Sequence, residues 1–215
     1  MSLDPLRKPG EVTYEPGDWM DIRFPTPEFP VGRTYSFASA PTEHHLQIIY
    51  KKGVSPFKRR LESATPGETM LITQYGTNGF RLDRRYRSLF IAGGVRITPF
   101  RSMIKALIDT GAEANIEVVY QNHTDDFPFT NELDAWRRAY PWLKVHYVAT
   151  GIEGRLTKQT LLRLLPTIRE RQAMYYIAGS PGMVDRAEKI LLRSELTMTT
   201  SRRIDSMAIR RDSDD

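Results

Sequence analysis

Leu89-Phe90-Ile91-Ala92-Gly93-Gly94-Val95-Arg96-Ile97-Thr98-Pro99-Phe100-Arg101-Ser102-Met103 runs from an apolar strand, through two glycines, into a helix. Glycine lets a backbone approach an anion closely, and a helix start offers unpaired N–H groups at the positive end of its dipole. Strand, turn and helix together outline a phosphate cradle, although an ordinary βα turn fits the same residues. The helix is well marked. Phe100, Met103, Ile104, Leu107 and Ile108 follow the i, i+3, i+4, i+7, i+8 stripe. Thr98 stands where a cap belongs, Pro99 suits the first helical position, and Gly111 marks the stop.

On either side of this segment the chain changes character. Up to about Leu82 it is punctuated by Pro and Gly and reads as short strands at Trp19 to Phe24, Thr34 to Phe37, Leu46 to Tyr50 and Thr69 to Gln74. Only Pro56 to Ser63 looks helical there. After Tyr86 the order becomes strand, helix, strand, helix. Strands are expected at Leu89 to Ala92, Ile116 to Tyr120, Val145 to Val148 and Met174 to Ile177, and helices at Pro99 to Thr110, Thr130 to Arg138, Lys158 to Leu165 and Met183 to Arg193. Such alternation predicts a parallel sheet with right-handed crossovers. The expected division is residues 1–85, residues 86–209 and a polar tail over 210–215.

Composition narrows the classes. A chain of 215 residues with 40% hydrophobic and 27% charged content holds one large or two small cores. Cysteine is absent, which excludes disulfides, thiolate metal sites and cysteine-ligated iron–sulfur clusters. The adjacent pair His44-His45 has no third ligand nearby in sequence, so no metal site is expected. No apolar run approaches a membrane span and the start lacks a signal-peptide pattern, so a cytoplasmic location is expected. The net charge of +5 points to acidic partners, without any nucleic-acid signature.

Two further segments bear on function. Arg33-Thr34-Tyr35-Ser36-Phe37-Ala38-Ser39-Ala40-Pro41 lies in the strand-rich half, and Tyr175-Tyr176-Ile177-Ala178-Gly179-Ser180-Pro181-Gly182-Met183-Val184 near the end. Taken with Gly93 to Met103, in this order, they resemble the ferredoxin–NADP reductase superfamily of flavin-dependent reductases, from about Tyr14 to Met207. The resemblance implies a small antiparallel β-barrel for the flavin, shortened at its N-terminus, followed by an α/β Rossmann-like domain with a parallel sheet for the nicotinamide nucleotide. It implies FAD as cofactor, NADH or NADPH as substrate, and hydride transfer between them. Arg33 would pair with the flavin phosphates, Tyr35 would pack on the ring system, and Ser36 would reach its reactive nitrogen. The turn of Gly53, Val54 and Ser55 would hold the flavin pyrophosphate, with Tyr50 along the ribose or adenine. Gly76 to Phe80 would close the barrel. Gly93, Gly94, Thr98 and Pro99 match the first nucleotide turn, with Thr98 near the hydride path. Gly179, Pro181 and Met183 match the second.

The pattern also departs from that family. Arg96 stands where a glycine is usual; it either crowds the dinucleotide or pairs with a phosphate, and crowding is the expectation. Ala178 replaces a frequent cysteine, and Ser180 replaces a frequent proline or leaves a variant spacing. The stretch Ile204 to Ile209 resembles the terminal strand but carries Met207 where an aromatic is common. Members of the family generally have one or two strands before the segment matching Tyr14 to Trp19, where only a short Pro/Lys-rich piece stands here, so the expectation is an incomplete barrel or an edge covered by a different element. Tyr120-Gln121-Asn122-His123 lacks the Ser-Arg pair of NADPH-preferring relatives, which leans toward NADH or mixed use, with Arg155 as a contributor from a neighbouring loop. Lys58-Arg59-Arg60, Arg84-Arg85 and Arg87 would dock an acidic ferredoxin, flavodoxin or oxygenase component, or form a solvated basic face. Two other readings stay open: a flavin-binding electron-transfer or regulatory subunit with impaired nicotinamide binding, and a nucleotide-binding protein without flavin.

Overall fold

The computed structural model describes residues 1–3, 12–77, 79–166, 173–192 and 198–204, with backbone alone at 2–3 and 198–204. The first half supplies strands β1 (Ser2–Leu3), β2 (Trp19–Arg23), β3 (Arg33–Ser36) and β4 (Leu46–Gln47), helix α1 (Pro56–Glu62) and strand β5 (Leu71–Gly76). Strand β2 is the centre of an antiparallel sheet of order β3-β2-β5, in which Trp19 lies opposite both Ser36 and Gly76. Alternate residues of β2 face inward, so Met20 and Ile22 are buried and join Phe37, Ile48, Phe57 and Leu61 in one apolar cluster. Tyr14 stacks on Phe37 with ring centroids 3.8 Å apart.

Antiparallel character is therefore present, but the described strands do not run in one closed ladder. β1 and β4 form a separate pair, with Leu3 opposite Leu46. The strand expected over Leu46 to Tyr50 keeps ladder geometry only at Leu46–Gln47. Nearby, the Ser39 hydroxyl takes the Gln47 N–H at 3.0 Å, a side chain standing in for a backbone partner.

The second half follows the expected alternation: β6 (Arg87–Gly93), a 3₁₀ turn (Gly94–Ile97), α2 (Thr98–Asp109), β7 (Ile116–Asn122), α3 (Thr130–Ala139), β8 (Leu143–Ala149), the short α4 (Thr150–Glu153), α5 (Lys158–Leu164), β9 (Ala173–Ala178), α6 (Pro181–Leu192) and β10 (Met198–Ile204). All neighbours in the order β10-β9-β6-β7-β8 are parallel. Both faces of the sheet are covered, which is why every residue of β9 is buried. Phe90, Tyr176 and Phe100 of α2 pack on one face; Leu89, Ile91, Tyr175, Leu161 of α5 and Val184 of α6 pack on the other. The terminal strand begins earlier than expected, at Met198, and pairs with β9; residues 205–215, with Met207 and the tail, lie outside the described residues, as does Asn78 in the loop of Gly76 to Phe80.

A buried arginine joins the halves. Arg101 on α2, 2% exposed, donates to the Ala38 carbonyl at 3.0 Å and pairs with Glu43 and with Glu132 of α3. Its guanidinium also lies 5.2 Å from the Phe129 ring centroid and 5.6 Å from that of Trp136. Beside it, Ser102 donates to the Ser39 carbonyl at 2.6 Å. Two residues beyond β3 are thus fixed to the helix that follows the glycine turn.

Candidate functional site

A parallel sheet opens a crevice where neighbouring strands leave in opposite directions. Here the chain passes from β6 to β7 and β8 on one side, and returns to β9 and β10 on the other. The switch lies between β6 and β9, and a cavity of about 730 Å³ opens there. Gly93, Gly94, Val95 and Arg96 line it from the first turn, and Ser180, Gly182, Met183 and Arg186 from the second. Asn122 ends β7 and His123 follows it, Thr150 and Arg155 follow β8, and Lys51 reaches the cavity from the first half.

Local geometry differs from a simple capped helix. Backbone turns helically from Gly94 onward, four residues before α2 proper, and Gly94 has the left-handed φ of 55° that favours glycine. The Thr98 hydroxyl consequently donates back to the Val95 carbonyl at 3.2 Å instead of capping a free helix end. Thr98 and Pro99 are buried and do not line the cavity. The N–H groups without helical partners belong to the glycine turn itself. The Tyr120 hydroxyl donates to the Gly94 carbonyl at 3.0 Å, and burial pushes its phenol far above the usual range.

Gly179 and Gly93 lie beneath the Met183 side chain, which would have to move for any larger residue at either position. A Cβ on Gly179 would stand 1.9 Å from the Met183 sulfur, and one on Gly93 2.8 Å from it. The methionine side chain lies over both turns, half-buried, while Pro181 is exposed at the start of α6. Asn122 donates to the Asp126 carbonyl at 2.6 Å and its own carbonyl accepts from Thr150 at 3.0 Å, so it ties the ends of β7 and β8 together.

Arg96 is half-buried, and among the described residues no hydrogen bond or ion pair reaches it. Burial alone pulls its pKa down. Burying an unpaired charge is unfavourable, so such a guanidinium favours an anion in the cavity.

On the other half, the pleat sends Arg33 and Tyr35 to one face of β3 and Ser36 to the other, opposite Trp19. The Arg33 guanidinium lies 5.6 Å from the Phe57 ring centroid. Burial pushes the Tyr35 phenol up to about 12, against the lowering influence of Arg33. Trp19 carries a buried indole nitrogen without a hydrogen-bond partner beside Ser36, which leaves a donor for a bound group. Ser55 caps α1 by accepting from the Lys58 N–H at 3.4 Å, with Gly53 and Val54 forming the preceding turn and Tyr50 half-buried before it. The basic clusters are partly committed: Arg60 to Glu68, Arg85 to Asp83 and Arg87 to the buried Glu117. Among the basic lining residues, sequence reading missed Lys51, the first of the pair Lys51-Lys52, and Arg186; neither belongs to a motif.

The family profile of the oxidoreductase NAD-binding domain matches residues 90–189. A ferredoxin–NADP reductase B from Sorangium cellulosum is 34% identical over 134 residues, covering 58% of this chain and 53% of that protein. Flavohemoprotein A from Dictyostelium discoideum is 24% identical over 205 residues, covering 84% of this chain and 49% of the relative. The chain thus spans about half the length of the curated relatives it matches. Among solved structures, the cytochrome b5 reductase domain of Ulva prolifera nitrate reductase superimposes with a TM-score of 0.70 at 23% identity, covering 88% of this chain and 85% of that one. A ferredoxin–NADP⁺ reductase from Plasmodium falciparum gives 0.69 at 17% identity, covering 91% and 85%. No helix among the described residues is long and apolar enough to cross a membrane.

Proposed function

We propose, from the premise that this chain belongs to the ferredoxin–NADP reductase superfamily, that it is an FAD-dependent reductase taking hydride from a nicotinamide nucleotide and passing electrons to a separate acceptor. One observation carries the reading. The crevice between β6 and β9 is lined by glycine turns, by unpaired cations and by Lys51, which follows Tyr50 in the half that holds the Arg33 to Ser36 strand. Lys51 thus brings the first half of the chain to the edge of the nucleotide cavity. The division at about residue 85 and a flavin barrel, built from the β3-β2-β5 sheet and the β1–β4 pair, form part of this proposal.

When bound, FAD supplies the hydride acceptance and the onward electron transfer. The chain's own residues bind and orient. Arg33 offers a fork of donors to a phosphate, and Tyr35 gives a flat apolar face. The Ser36 hydroxyl and the unpartnered Trp19 N–H offer hydrogen bonds on the opposite side of β3. The Gly53–Ser55 turn lies where Tyr50 leads toward the cavity. Gly93, Gly94 and Arg96 serve the nucleotide's pyrophosphate, Asn122 fixes the strand ends, and Met183 packs an apolar surface over Gly93 and Gly179. Thr98 holds the turn's shape through Val95. Lys58 and Arg59 on α1, with the exposed Val54 before it, present a surface for an acidic acceptor such as a ferredoxin, a flavodoxin or an oxygenase component. A second reading, a flavin subunit that takes no hydride, draws on the Met183 side chain lying across both turns.

The visible spectrum of the purified protein tests the assignment. Flavin absorbance that bleaches rapidly with NADH or NADPH supports the reductase. Flavin that does not bleach selects the second reading, and a colourless protein that binds no added FAD rejects both.

A further inference from the structure

Sulfur stands at one functional place in this chain. Of the eight methionines, Met20, Met103 and Met174 are buried in the apolar clusters, Met70 packs half-buried on the cluster of the first half, and Met1 is exposed. Among the described residues Met183 alone brings a thioether to the cavity between β6 and β9. Helix α6 starts at Pro181, so residue 183 stands in its first turn. Helical side chains tilt toward the N-terminus, and this one reaches back over the turn before the helix. Its sulfur lies against Gly179 and Gly93 at once, between the two turns assigned above to the dinucleotide. An aliphatic side chain would give the same apolar cover. A thioether differs in being polarizable and in accepting an oxygen atom from a peroxide.

We infer that Met183 is an oxidation site that controls this cavity: hydrogen peroxide converts its thioether to the sulfoxide, and the sulfoxide weakens nucleotide binding. The inference rests on the reading of the cavity as the nucleotide site. In the reaction an S–O bond forms and the peroxide O–O bond breaks. One oxygen atom passes to sulfur, the thioether loses two electrons, and the peroxide is reduced to water. Met183 is half-buried and lines the open cavity, so the oxidant has access that the buried methionines deny it. The product is polar, and its oxygen accepts hydrogen bonds. Beneath it lies the glycine turn, whose N–H groups without helical partners are the donors a pyrophosphate needs. A sulfoxide oxygen turned toward them takes those donors from within the chain. Turned toward the cavity, it sets partial negative charge against an anion. Both placements lower affinity. Sulfoxide reductases return the side chain to methionine, so the change is a reversible one.

The purified full chain is treated with graded hydrogen peroxide, and peptide mapping by mass spectrometry locates each added oxygen. Calorimetric titration with NAD⁺ and with NADP⁺ then measures binding without turnover. Oxidation at Met183 is expected to lower dinucleotide affinity about tenfold or more, the worth of hydrogen-bond donors lost to a charged ligand. Methionine sulfoxide reductases acting on both epimers should restore it, and bound dinucleotide should slow the oxidation of Met183. Met70→Leu should respond to peroxide as the parent does. Met183→Leu should keep after peroxide whatever affinity it had before. Four results would each overturn the inference: Met183 left unoxidised at doses that convert Met1, unchanged affinity once Met183 is shown oxidised, an equal loss in Met183→Leu, or a loss that the reductases do not repair. The two readings part cleanly. An untreated chain that binds neither dinucleotide removes the nucleotide site and the inference with it, whereas binding that ignores oxidation removes the inference alone.

Discussion

Replacing Arg101 by methionine should be among the most damaging single changes in this protein. The side chain is almost fully buried, and methionine fills a similar volume without charge. Arg101 donates from Nε to Glu132 at 2.9 Å, from Nη2 to Glu43 at 3.0 Å and from Nη1 to the Ala38 carbonyl at 3.0 Å. Its loss leaves the Ala38 carbonyl and two carboxylates without their donor, Glu43 at 20% and Glu132 at 39% exposure. Removing one partner of a fully buried ionic network costs about 3–5 kcal/mol, and the water that reaches both carboxylates lowers this to about 2–3 kcal/mol. For a chain of this size each kcal/mol moves the melting point by about 2–4 °C, which gives a fall of about 4–12 °C. The assay is urea and thermal denaturation of parent and Arg101→Met, followed by Glu43→Gln and Glu132→Gln placed on the variant. The neutral amides should recover part of the loss, since the penalty is that of uncompensated charge, and the cycle measures the coupling. Since Arg101 and Ser102 tie Ala38 and Ser39 to α2, flavin reduction by nucleotide should slow as well. A loss under about 1 kcal/mol, or no recovery from the paired amides, would refute the reasoning.

Arg33→Ala should lower the ratio of flavin to protein absorbance well below that of Arg84→Ala, an exposed control; equal ratios would remove Arg33 from the flavin site. Gly179→Ala should destabilise by about 1–3 kcal/mol through the clash with the Met183 sulfur, and Met183→Ala on the same chain should recover most of it in a thermal melt. Acid should act through Glu117. Burial opposes its ionisation, but His146 and Arg87 beside it prevail and hold its carboxyl near about 2. That lowered value means the fold gains from Glu117 above the ordinary carboxylate pKa and loses the gain as pH falls toward about 2. Glu117→Gln should flatten that part of the acid unfolding curve, and an unchanged slope would show that other groups set it.

The α/β half was legible because its cues are local. Strands β6 to β9 and helices α2, α3, α5 and α6 carry complete apolar stripes or runs, and Gly111 stops α2 as expected, at a left-handed φ of 64°. The three motifs that carry the resemblance were likewise contiguous stretches. The antiparallel half was harder. Its strands are short, and whether they close into one ladder depends on partners distant in the chain: the two-residue pair of β1 with β4 left no periodicity to read. Thr98 was read as a cap because sequence cannot show that the backbone already turns helically at Gly94. Arg101 looked like any basic residue on a helix, and only the approach of Ala38, Glu43 and Glu132 from two other segments makes it a clamp. Lys51, Arg96, Arg155 and Arg186 likewise belong to no common motif. Periodicity and turn chemistry act over a few residues, so the sequence by itself determined the elements and the glycine turns; charges interact through space, and the tertiary structure alone decided which of them would be paired and which would face the cavity together.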